Sequence, residues 1–149
     1  MGPDLEIPVR FVRESSRGLL PAYQTAGAAG MDLFADLERE AVLAPGERML
    51  VPTGIAMAIP DGVEGQVRPR SGLAARSGLT CLNSPGTIDS DYRGEIRVLL
   101  INLGREPVAL RRGDRIAQLV FSPVLRATLR AVPHLEDTPR GERGFGHTG

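Results

Sequence analysis

The chain contains no lysine and no tryptophan, a single cysteine and two histidines. Its 18 basic side chains are therefore all arginine, and 18 acidic ones balance them to a formal net charge of zero. Without lysine there is no P-loop, whose glycine-rich turn must deliver a lysine to the phosphates. A lone Cys81 allows no intrachain disulfide and no thiolate zinc site, and His134 and His147 show no metal-ligand spacing. No His-x-Glu with Pro-Cys-x-x-Cys is present, which excludes a zinc-dependent nucleobase deaminase. Zero net charge removes any global pull toward nucleic acid or an anionic membrane. No apolar run nears the roughly 18 residues of a membrane span. Met1–Glu6 carries neither an apolar signal region nor the Ser or Thr of a myristoylation motif. The expectation is a soluble, cytoplasmic protein of a reducing compartment, with no membrane partner and no stable nucleic-acid binding.

What is abundant is punctuation: 18 glycines and 12 prolines in 149 residues. The longest stretch free of both runs from Met31 to Ala44, and helices avoid both residues internally. Short segments cut by turns predict an all-β sandwich or barrel in one domain. Ile7, Val9 and Phe11 alternate as a first strand. Arg17 to Gly27 reads as irregular. Ala41 begins a strand that turns at Pro45-Gly46 into Met49–Val51. Ile55–Ile59, the Pro60-Asp-Gly turn and Val63–Val67 predict another hairpin. Ser71–Ser77 predicts the one short helix, with Ser71 as a cap and Gly78 as its stop. Ile96–Leu103 is apolar on both faces, so it is expected to be buried on both, in the core or against another subunit. Val108–Leu110, Arg115–Phe121 and Leu125–Val132 supply the last strands. After Pro133 the chain changes character, and its glycine-rich end, Arg140–Gly149, has one large apolar residue, Phe145, and cannot build a core.

Five stretches invite chemistry. Asn83–Glu95 places Asp89, Asp91, Tyr92 and Arg93 in a Pro/Gly-rich turn that reads as a hairpin leading into a buried strand; taken in isolation, the plainer reading is a solvated turn, which favours these residues for its own backbone. Pro69–Ala74 sets Arg70 and Ser71 at a helix start, either a phosphate site or merely a capped helix. Gly113–Val120 is a turn entering a strand and says little alone. Ala29–Leu33 holds an acid, Asp32, in an apolar segment, and a buried carboxylate needs a partner or a metal. The tail, Arg140–Gly149, is read as a disordered end, an Arg/Gly nucleic-acid tail, or a flap whose Phe145 stacks on a base.

Together and in this order, the five stretches resemble the homotrimeric deoxyuridine triphosphatases (dUTPases). The resemblance covers residues 29 to 149. It implies a jelly-roll-like (β-clip) fold, a core over 1–133 with an arm over 134–149, and a homotrimer with active sites shared between subunits. It implies magnesium-assisted hydrolysis of dUTP to dUMP and pyrophosphate by water attack on the α-phosphorus, which removes dUTP and supplies dUMP for thymidylate synthesis. Asp89 then orients and deprotonates the water, and Tyr92 excludes a 2′-hydroxyl. Asn83, Thr87, Ile88 and Arg97 read uracil. Arg70, Ser71, Gly72 and Gln118 hold phosphates, Phe145 stacks on the base, and Arg140 reaches the γ-phosphate. Mg2+ rides mainly on substrate phosphates and water, with Asp32 behind it through a water. Two positions depart from the family's tail, where Gly-Gly-Phe-Gly-Ser-Thr-Gly is common: Arg143 replaces a glycine and His147 the serine, so altered tail closure is expected. The rivals are a dCTP deaminase of the same fold, which lacks this Asp-Ser-Asp-Tyr turn, and a non-enzymatic trimeric β module with an Arg/Gly tail.

Overall fold

The structure, a computed structural model, describes residues 5–146, so His147 and its role in the tail lie outside the described residues. The elements are β1 (Val9–Phe11), a 3-10 turn (Glu14–Leu19), β2 (Met31–Phe34), β3 (Ala41–Leu43), β4 (Arg48–Met57) and β5 (Val63–Arg68), followed by α1 (Ser71–Ser77), β6 (Leu79–Cys81), β7 (Gly86–Ile88), β8 (Glu95–Asn102), β9 (Val108–Leu110) and β10 (Arg115–Pro123). Two four-stranded sheets, in the orders β1-β4-β8-β6 and β2-β10-β5-β7, are joined by a small β3-β9 pair. All pairings are antiparallel. Inward residues of both large sheets, among them Val51, Val98 and Leu100 from one and Leu33, Val67 and Leu119 from the other, form one apolar cluster. The all-β, jelly-roll-like class expected from the sequence is the one found, with sheets that stay open instead of closing into a barrel.

Several local readings are corrected by where the strands find partners. The Pro60-Asp-Gly turn does not close a hairpin: β4 lies in the first sheet and β5 in the second. The turn between β7 and β8 also crosses sheets, since β7 pairs with β5 while β8 pairs with β4 and β6. Turn chemistry sets where the chain reverses, but a sandwich decides which strand each segment meets. Met49–Val51 and Ile55–Met57 are one strand, β4, carried through Pro52 and Gly54 by an irregularity in its pairing with β8. Leu125–Val132 forms no strand; Leu125 and Leu129 are almost fully exposed, with no neighbouring edge to supply backbone partners. The region read as irregular contains the 3-10 turn, which buries Ser16 and Leu19.

Strand β8 shows how one chain handles an apolar run. Ile96, Val98, Leu100 and Asn102 point inward and are buried. On the opposite face Leu99 and Ile101 are only partly covered, and Leu50 beside them on β4 is exposed. Burial on both faces therefore does not occur within the chain. The helix runs over Ser71–Ser77 as predicted and stops at Gly78, in the left-handed region at φ 69°. Its capping position is Arg70 and not Ser71, and no side chain caps it. Cys81 is free and buried, and burial pushes its thiol up to about 11, so it stays un-ionised at neutral pH.

Candidate active site

The Asn83–Glu95 turn carries the best-defined geometry. Strand β7 ends at Ile88, and Asp89 follows at once with its side chain exposed. The backbone closes on itself as the Tyr92 N–H donates to the Asp89 carbonyl at 3.1 Å. The Tyr92 hydroxyl then donates to the Glu95 carbonyl at 2.9 Å, folding the ring back over the turn. That fold is why residue 94 is glycine: a Cβ there would stand 2.5 Å from the Tyr92 Cζ. At the other end a Cβ on Gly86 would meet the Asn83 amide nitrogen at 3.1 Å, so the base of the turn is equally close-fitting. The Ser84–Pro85 peptide between them is cis. Thr87, Ile88, Asp89, Tyr92 and Arg97 line a cleft of ≈ 610 Å³ together with Leu50, Gly94, Glu95 and Ile96. Five of the six residues expected to handle water, sugar and base thus meet in one concavity, while Asn83, at the base of the turn, does not line it.

A second group forms where β2, β10 and the start of α1 converge. Gln118 on β10 sits opposite Asp32 on one side and Arg68 on the other. The chain leaves β5 at Arg68 and enters α1 at Ser71 after two intervening residues, which brings Arg70 and Ser71 to the same corner. Asp32 is buried, with its Oδ2 at 3.3 Å from the Arg115 guanidinium and its Oδ1 at 3.2 Å from the Arg70 Nε. The Arg70 contact is a charge contact without hydrogen-bond direction, so Oδ1 has no hydrogen-bond partner. Arg70 is further held by donating to the Arg115 carbonyl at 3.3 Å. Gly72 lies in the first turn of the helix. The corner therefore offers two oriented guanidinium groups, a hydroxyl and an amide side chain over one buried carboxylate, a donor set suited to phosphate oxygens.

The tail forms a third, separate piece. Residues 124–146 are exposed throughout, and Phe145 is fully exposed at φ 48°. Arg140 and Arg143 bond reciprocally, each Nε donating to the other's carbonyl at 2.8 and 3.0 Å, and Arg143 also donates to the Pro139 carbonyl at 2.5 Å. None of Arg70, Ser71, Gln118, Arg140 or Phe145 lines the cleft beside Asp89. Two neighbours of the site escaped the sequence reading. Arg115 lies within the Gly113–Val120 stretch, where sequence gives it no role, and Glu95 reads in sequence as the mere entrance to a strand. Among the described residues no group of three or more His, Cys, Asp or Glu could hold a metal ion.

A carboxylate and tyrosine turn, a phosphate-type corner and an arginine-bearing tail on a two-sheet β frame define a nucleotide-handling protein. The dUTPase family model matches residues 17–149. The deoxyuridine 5′-triphosphate nucleotidohydrolase of Desulfotalea psychrophila is 60% identical over 137 residues, 92% of this chain and 91% of that one. The enzyme of the same name from Syntrophotalea carbinolica is 57% identical over 143 residues, 96% of this chain and 97% of that one. Among solved structures, a point mutant of the phage 80alpha dUTPase superposes with a TM-score of 0.85 at 26% identity, covering 96% of this chain and 98% of that one. The chain belongs to the dUTPase family.

Proposed function

We propose that this dUTPase-family enzyme hydrolyses dUTP to dUMP and pyrophosphate with Asp89 as the general base. The observation that carries the reading is the exposed Asp89 carboxylate at a cleft whose other wall is a pinned Tyr92. Asp89 accepts a proton from a water as the water oxygen bonds to the α-phosphorus. The bond from that phosphorus to the α–β bridging oxygen breaks, and pyrophosphate leaves. A carboxylate within hydrogen-bond reach is suited to this at neutral pH. Tyr92, folded over Gly94, fills the space a 2′-hydroxyl needs. Asn83, Arg97 and the backbone of Thr87 and Ile88 recognise the uracil edge, and mismatched donors or an added methyl group disfavour cytosine and thymine.

Arg70, Ser71, Gly72 and Gln118 bind the phosphates, with Asp32 and Arg115 holding Arg70 in place. The donor set fits a metal carried by the substrate: no protein cage exists among the described residues, and one buried carboxylate oxygen beside the phosphate arginines is left unbonded. Magnesium dehydrates reluctantly, so phosphate oxygens and waters would hold it, with Asp32 Oδ1 reaching one of those waters. When bound, it neutralises phosphate charge.

The three pieces are complete only between copies of the chain. Each active site of a homotrimer takes the turn from one copy, the Asp32–Arg70–Gln118 corner from a second and the tail from a third. Two features support this: the cleft lacks phosphate-binding arginines of its own chain, and the outer face of β4 and β8 leaves Leu50, Leu99 and Ile101 incompletely covered. Residues 134–149 then act as an arm over a core spanning 1–133, with Phe145 on the base and Arg140 at the γ-phosphate. A cytoplasmic nucleotide pool is the matching setting, and no helix among the described residues is long and apolar enough to cross a membrane. The test is pyrophosphate release from dUTP, UTP, dTTP and dCTP with magnesium. Rapid release from dUTP alone is expected; ammonia release from dCTP, or equal turnover of UTP, would sink the reading.

A further inference from the structure

Resting on that reading of Tyr92, we propose that Glu95 is the positioning residue that sets discrimination against ribonucleotides. Glu95 holds the turn at two points. Its backbone carbonyl accepts the Tyr92 hydroxyl at 2.9 Å. Its carboxylate, only 12% exposed, accepts the Gly54 N–H at 2.9 Å. The second bond exists because β4 breaks register with β8 between Pro52 and Ala56, which leaves the Gly54 amide without a ladder partner. An irregularity of this kind frees a backbone donor that something must satisfy. Gly54 is itself fixed from behind. Its carbonyl accepts the Val12 N–H at 2.8 Å, and a Cβ on it would stand 2.7 Å from the Ser16 Cβ, so only glycine fits at its φ of 74°.

The chain of support is therefore short and specific. The Gly54 amide holds the Glu95 side chain, the Glu95 carbonyl holds the Tyr92 hydroxyl, and the ring's place decides whether a 2′-hydroxyl fits. Thr53 ties the same junction by donating from Oγ1 to the Ile96 carbonyl at 2.5 Å, fixing the first residues of β8 while leaving residue 95 to its carboxylate. Arg97 Nε lies 3.5 Å from the other Glu95 oxygen, so loss of the carboxylate also frees a cleft side chain.

The experiment measures kcat and KM for dUTP and for UTP on the full chain and its Glu95→Ala and Glu95→Gln variants. Glu95→Ala is expected to lower the dUTP-to-UTP ratio of kcat/KM by roughly tenfold, the scale of one lost charge-assisted hydrogen bond. Glu95→Gln keeps an oxygen for the Gly54 N–H and is expected to hold the ratio within about threefold of wild type. A Glu95→Ala ratio unmoved from wild type, or a Glu95→Gln ratio as poor as that of Glu95→Ala, overturns the assignment. If Glu95→Ala does not fold, Tyr92→Phe decides: it cuts the other tie, and an undiminished ratio overturns the proposal. Wild-type protein that released no pyrophosphate from dUTP would instead overturn the functional reading on which this rests.

Discussion

The buried Asp36 carboxylate is the most heavily partnered acid in the described structure, and its loss tests how the frame around the irregular part of β4 is held. Its side chain is fully shielded from solvent and accepts hydrogen bonds from the Ser16 hydroxyl at 2.7 Å, from Arg13 at 2.5 Å and from Arg112. Its backbone N–H donates to the Pro52 carbonyl at 2.8 Å. One residue thus ties the 3-10 turn, the β2–β3 connection, the β9–β10 turn and the irregular part of β4. Replacing it with Asn keeps the volume and removes the charge. Two charge-assisted bonds are each worth roughly 1.5–3 kcal/mol. The arginine side chains are 37% and 39% exposed and regain water, so the net loss is discounted to about 2–3 kcal/mol. Burial pushes the Asp36 carboxyl up, but the Ser16 and Arg13 hydrogen bonds and the Arg112 and Arg13 charges outweigh it, leaving it below the ordinary value of 3.8. A carboxylate depressed in the folded state stabilises above its unfolded pKa and loses that contribution as pH falls through the folded one. Urea unfolding followed by circular dichroism should therefore show the wild-type advantage over Asp36→Asn in full at pH 7. The advantage should shrink once the pH drops below about 4. A gap that is absent at pH 7, or that does not change with acidification, refutes the account.

Four further outcomes are expected. Asp89→Asn should bind dUTP nearly as wild type while kcat falls by about 10²–10⁴-fold, and near-normal turnover would remove Asp89 from the role of base. Gly94→Ala places a methyl group against the Tyr92 ring, forcing it aside by about 1 Å, a displacement able to cost on the order of 10²-fold in kcat/KM; an unaffected rate in a folded variant would show that the ring tolerates the shift. Truncation after Asp137 removes Arg140 and Phe145 and should leave the proposed trimer intact by light scattering with kcat/KM reduced by about 10-fold or more, the value of one stacked base. Arg143→Gly frees the Pro139 and Arg140 carbonyls and loosens the arm, so KM for dUTP should rise by roughly threefold through the added ordering entropy; an unchanged or lower KM would mean that the Arg143 contacts do not assist closure.

How far the chain could be read in advance differs by element, for physical reasons. The helix was legible because its signals are local: Ser71–Ser77 lies between Pro69 and Gly78, and Gly78 adopts the left-handed conformation its position suggested. The strands of β8 and β10 were legible from their apolar runs, but their partners were not, since pairing depends on which sheet each segment joins. Hence two turns with proper hairpin chemistry turned out to cross between sheets. Leu125–Val132 has a strand's composition and no strand's environment within one chain.

The site divides along the same line. The turn with Asp89 and Tyr92 drew attention for a tyrosine and acids packed among glycines, but roles for the two came only with the family resemblance. The structure adds how they are held, by a hydroxyl bonded to residue 95 and a glycine that the ring requires. Asp32 was visible only as an anomaly, an acid in an apolar segment. Its meaning came from β2 and β10 lying side by side, which sets it against Gln118 and within reach of Arg70 and Arg115. Those contacts set each of its oxygens against a guanidinium group, with Oδ1 left without a hydrogen-bond partner. Glu95 gave no signal at all, because its partner is a backbone amide released by an irregularity forty-one positions away in β4. A reader of sequence sees side chains, and the groups that steer this turn are largely backbone.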